Sequence, residues 1–187
     1  QVHPGTARGV MINAVRIAGQ LVSMLRGDEM PESTGGMEGF IYPLEVSASC
    51  QEASVRMIVR DFTVDGMEGR LAGLRAMGET LQRMFPGSRV TPEFVEQYRN
   101  PGEIIARDRR LVEYALEGSR RVGIDAVEGA IRGGTDGSRL SHMGLPTVNL
   151  PTGGESYHSR REWIALEGMN LALETLLGTL VVWSERT

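Results

Sequence analysis

Two rhythms of apolar and polar positions alternate along the chain. Val10, Met11, Ala14, Ile17, Ala18, Leu21, Val22 and Leu25 recur at three- and four-residue spacing, which predicts a helix with Thr6 as its N-cap and Gly27 as its stop. Residues 28–39 are rich in Gly, Ser, Thr and Pro and predict a loop. Residues 39–49 and 53–62 change to near-alternation (Ile41, Leu44, Val46; then Val55, Met57, Ile58, Val59) around a polar Cys50-Gln51-Glu52, which predicts an antiparallel hairpin. A second helical stripe, Leu71, Leu74, Met77, Leu81 and Met84, runs over 66–85 and stops at Pro86-Gly87. Residues 88–98, with Val90, Phe94 and Val95, predict a strand that Pro92 would confine to an edge.

With one strand supplied before His3, this order is strand, helix, strand, strand, helix, strand. That is the ferredoxin-like βαββαβ arrangement, an antiparallel sheet with two helices on one face. Asn100-Pro101-Gly102 marks a boundary, giving domains over 1–100 and 101–187. Beyond it the pattern predicts helices over 103–121, 135–143 and 162–183 and short strands over 124–131 and 147–150. These read as the edge of a larger α/β sheet, so the fold class is α+β followed by α/β. The chain opens Gln1-Val2-His3 without Met, and we expect it to be the C-terminal portion of something longer.

Composition narrows the function classes. At 187 residues, 41% hydrophobic and 24% charged, the chain can bury one good core or two small ones. A net charge of −4 argues against a broad nucleic-acid surface. All 20 of the Lys and Arg residues are Arg. A single cysteine, Cys50, excludes an internal disulfide framework and suits a reducing, cytoplasmic compartment. No apolar run has the length of a membrane span.

Candidate chemistry concentrates in Arg132-Gly133-Gly134-Thr135-Asp136-Gly137 and in Gly153-Gly154 through Tyr157-His158 and Glu162. His158 falls in a loop after a strand, where α/β proteins place ligands, although a lone loop histidine is more often a surface residue. His3 precedes the first helix and reads equally as a cap, and His142 reads as structural. Arg60, at the end of an apolar strand, is either a local ion pair with Asp61 or a fork for a carboxylate. Arg132 raises the same choice, and Asp136 reads most simply as an N-cap. The glycine-rich loop lacks the Lys of a phosphate-binding loop. One metal-competent histidine does not make a hydrolytic zinc site, which needs three protein ligands.

Five segments together resemble the M20 family of co-catalytic zinc peptidases, and within it the tripeptide aminopeptidases. They are His3-Pro4-Gly5-Thr6-Ala7, Ile58 through Phe62, Ile131 through Gly137 with Leu140-Ser141, Met143 through Pro146, and Thr152 through His158. The resemblance implies a lid domain that mediates homodimerisation, over 1–100, and the end of a zinc-binding catalytic domain, over 101–187. It implies that His158 ligates one of two zinc ions, that His3 stabilises the oxyanion, and that Arg60 and Arg132 hold the carboxylate of a short peptide substrate. It places the other zinc ligands and the general-base glutamate upstream of the lid, outside this chain, so the chain alone is expected to be inactive. Ser159-Arg160-Arg161 departs from the family's usual Gly and basic pair after the ligand histidine. Alternative readings are another M20 hydrolase, a dipeptidase or amino-acid deacylase, and a non-catalytic dimerisation module.

Overall fold

The computed structural model describes residues 2–186; Gln1, and with it the strand expected before His3, lies outside them, as does Thr187. Two compact units divide the chain, the first ending at Glu96 and the second beginning at Gln97.

In the first unit Asn13 starts the first helix, α1 (Ala14–Met24), by accepting the Val15 N–H on its side chain at 2.9 Å. That start is later than the apolar spacing predicts. Residues Pro4–Thr6 form a 3-10 turn instead, and Gly9 takes φ +74, which ends any continuous helix before Asn13. The hairpin forms as expected, from β1 (Phe40–Ala48) and β2 (Ala53–Arg60). Its register shifts between Pro43 and Glu45, where proline has no N–H to give the ladder. Helix α2 (Val64–Met84) follows, capped by the Thr63 hydroxyl on the Gly66 N–H at 3.0 Å. Leu25, Ile41 and Leu74, with Met57, Val59 and Met77 around them, join α1, the hairpin and α2 in one core.

Two helices and an antiparallel sheet give this unit the mixed class that the pattern implies, but the strand expected over 88–98 is absent among the described residues. Pro92 packs on Gly78 of α2 and the Val90 N–H bonds the Gln82 side chain at 3.1 Å, so this segment's polar groups go to a helix rather than a ladder.

The second unit contains α3 (Gly102–Arg107), α4 (Arg110–Arg121), α5 (Asp136–His142), the two-residue strands β3 (Gly154–Glu155) and β4 (Trp163–Ile164), and α6 (Leu166–Arg186). The single helix expected over 103–121 is broken at Asp108, whose carboxylate takes the Arg110 N–H and guanidinium and so competes with the helical bond. Residues 124–131 and 147–150, expected as strands, have no partner strand among the described residues and form no regular element. Helices α4 and α6 cross closely at two glycines. A Cβ on Gly178 would lie 2.7 Å from the Gly118 carbonyl, and one on Gly118 would collide with Thr179. Tyr114 meets Trp183 edge-on at 4.7 Å on the same contact, and Val182 is fully buried.

Candidate functional site

His3 is exposed, and its Nδ1 accepts the Gly5 N–H at 3.0 Å. An amide can only donate, so in the neutral ring the proton sits on Nε2. The outward-facing nitrogen is therefore a hydrogen-bond donor. A side chain on Gly5 would press on the ring at 3.1 Å, so glycine here leaves the imidazole its place.

Arg60 is the last residue of β2, opposite Phe40 in the ladder and half-buried, with Nη1 donating to the Val59 carbonyl at 3.1 Å. The neighbouring Asp61 is 10% exposed and carries the guanidinium of Arg70, Nε to Oδ2 at 3.1 Å. Arg70 in turn reaches Glu29 at 2.7 Å. Burial, the largest influence on Asp61, pushes its carboxyl up; the Thr63 N–H and hydroxyl together with Arg70 outweigh it and hold the group below the ordinary carboxylate range.

In the second unit, Arg132 lies half-buried in the loop that leads to α5. Gly134 leaves room there for the Tyr98 ring, over which Arg139 stacks at 5.3 Å. Thr135, not Asp136, holds the N-cap position, and Asp136 is the first helical residue. The Ser141 hydroxyl donates to the Gly137 carbonyl at 2.7 Å and accepts the Thr147 N–H at 2.9 Å, tying the next segment to α5. His142 meets the Asn100 carbonyl through Nε2 at 3.3 Å, in keeping with its structural reading.

His158 occupies a turn between β3 and β4. It and Ser156 are the two non-glycine residues with positive φ among those described, at 63° and 56°. That conformation costs about 1–2 kcal/mol per residue. The turn offsets it with bonds from the His158 N–H to Glu162 at 2.9 Å, from the Ser159 N–H to the Ser156 carbonyl at 3.1 Å, and between Thr152 and the Tyr157 hydroxyl at 2.8 Å. Behind it Gly153, at φ +78, packs on the Gly168 backbone so closely that a Cβ would lie 2.8 Å from it. Strain held by a network of this kind is a mark of functional turns. The imidazole is exposed and presented by a fixed backbone.

Two of the four predicted residues, His3 and Arg60, fall in the first unit, and Arg132 and His158 in the second. No group of three His, Cys, Asp or Glu side chains among the described residues is arranged to hold a metal. The pattern missed the Asp61, Arg70 and Glu29 network. Thr63 and Gly66 after Asp61 mark a local cap, but Arg70 and Glu29 come from distant turns.

Residues 1–75 match the peptidase dimerisation domain of the M20 type. Peptidase T of Clostridium perfringens is 40% identical over 185 residues, 99% of this chain, and peptidase T of Geobacillus kaustophilus is 40% identical over the same share. Along almost all of its length the chain is similar to these peptidase T sequences. It spans 46% and 45% of the length of these two proteins. Among solved structures, aminopeptidase PepT from Bacillus cereus matches with a TM-score of 0.64 at 18% identity, over 97% of this chain and 48% of that one. A tripeptidase from Staphylococcus aureus matches with the same score over 91% and 46%. These structures bear on the fold, and they agree with the mixed α/β class read from the pattern. No helix of the described residues is long and apolar enough to cross a membrane.

Proposed function

We propose that this chain is the lid and the final catalytic segment of a zinc-dependent tripeptide aminopeptidase that acts in the cytoplasm as a homodimer. The observation that carries the reading is the 40% identity to peptidase T along 99% of the chain. Residues 1–100 are the lid and 101–187 the catalytic segment in this account. His158 would hold one of the zinc ions through its imidazole, from a turn whose backbone is tied to Glu162. Zinc in such an enzyme polarises the scissile carbonyl and acidifies water. His3 donates Nε2–H to the oxyanion that develops on the peptide, a task its capped Nδ1 leaves only to Nε2. Arg60 and Arg132 pair with the peptide's carboxylate through their planar forks. The remaining ligands and the general base come from polypeptide beyond this chain, so the chain alone hydrolyses nothing.

The protein made from the native gene, assayed with zinc, is expected to cleave a tripeptide with a free N-terminus and to leave its N-acetylated counterpart intact. Cleavage of the acetylated peptide instead would move the assignment to a deacylase. Zinc-dependent hydrolysis by the 187-residue chain alone would overturn the placement of the other ligands. The match of residues 1–75 to a dimerisation domain also favours a non-catalytic dimerisation module. A stable dimer without peptidase activity in the native protein would decide for that module.

A further inference from the structure

We infer that Asp61, Arg70 and Glu29 form a positioning unit for Arg60, fixing the end of β2 from which its guanidinium is presented. The inference rests on the reading of Arg60 as a carboxylate holder given above, and it assigns work to three residues that touch no substrate in that reading.

Asp61 directly follows Arg60 and is tied to two other parts of the unit. The N-terminal end of α2 supplies the Thr63 N–H at 2.9 Å and the Thr63 hydroxyl at 3.1 Å, and about two turns on, the Arg70 Nε at 3.1 Å. The turn after α1 supplies Glu29, which takes the other arm of Arg70 at 2.7 Å. Two glycines wall the carboxylate in. A side chain on Gly39 or on Gly66 would collide with Asp61, and one on Gly39 would also lie 2.7 Å from the Arg60 carbonyl. The backbone of Arg60 is thus caught between the entry of β1 and a carboxylate that cannot swing.

The hairpin does not need this network to cohere. Its ladder runs from Phe40 to Ala48, and Leu25, Ile41 and Leu74 bury its face. A buried ionic network holds no better than apolar residues of the same volume. What it adds is direction: charge-assisted bonds fix angles that apolar packing leaves loose. An arginine side chain has large rotamer freedom, and its value as a fork depends on a fixed origin.

The test uses the protein made from the native gene, labelled with 15N, and reads the order parameter of the Arg60 Nε–H. In the native sequence it is expected near the rigid limit. In Asp61→Asn it is expected to fall toward about 0.6 or below, the flexible range, while the amides of β1 and β2 lose no more exchange protection than those of α2. Arg70→Lys, which keeps the charge and loses the two-armed geometry, is expected to loosen Arg60 as well. An Arg60 signal unchanged in both variants would overturn the inference. So would a loss of protection confined to the hairpin, because the network would then be structural only. Titration with N-acetyl-dialanine and with its amide separates the two claims. If the free acid leaves the Arg60 signal unmoved while Asp61→Asn still loosens it, the carboxylate reading of Arg60 fails and the positioning unit stands.

Discussion

Protonating Asp61 removes the acceptor on which Thr63 and Arg70 converge, so its effect on stability has a definite sign. The folded group titrates below the ordinary carboxylate range, whereas in the unfolded chain it titrates near pH ~3.9. The stabilisation is therefore fully present above that unfolded value and is lost as pH falls through the folded one. Denaturant midpoints measured from pH 7 downward should drop below pH ~4, and the drop should be shallower in Asp61→Asn. At pH 7 that variant should cost about 2 kcal/mol, as expected for losing hydrogen bonds to a charged, 10% exposed carboxylate. His158 predicts the opposite balance. His158→Gly relieves the positive φ and should raise stability by about 1 kcal/mol in thermal unfolding, while removing the side chain proposed above as a zinc ligand. Unchanged zinc affinity in that variant would remove His158 from the metal site.

The elements with local causes are those the sequence reveals. The hairpin and α2 each follow an apolar rhythm with a cap or turn residue at its end, Thr63 before α2 and the Ser49 to Glu52 turn between the strands. Misreadings fall where a non-local partner decides. Val90 and Phe94 alternate like a strand, yet they lie along α2, and Phe94 sits under Arg75 at 4.6 Å. Residues 124–131 are apolar enough for a strand, but a strand exists only where a neighbour takes its hydrogen bonds. The motifs named His158 and Arg132 without geometry, and nothing local announced that Arg70 and Glu29 would meet at Asp61. Helix crossing offers an element-scale prediction. Gly118→Val places a side chain on the Thr179 backbone, and should lower the stability of the second unit by about 1–3 kcal/mol, read as earlier urea unfolding followed at Trp183.

At the scale of the whole molecule, surface area is the telling quantity. The chain exposes 13139 Å². On α6, Leu166, Met169, Leu173, Leu176, Leu177 and Leu180, each 45% exposed or more, recur at helical spacing. The isolated chain should therefore bind a hydrophobic dye strongly, and a Leu173→Glu, Leu177→Glu variant should bind it less without losing helicity. Native mass spectrometry of the protein made from its own gene, with zinc supplied, tests the central claim most directly. The account predicts a dimer of polypeptides of roughly twice 20.4 kDa, since this chain covers 46% of its relative, each carrying two zinc ions. A 20.4 kDa polypeptide that takes up no zinc would contradict it.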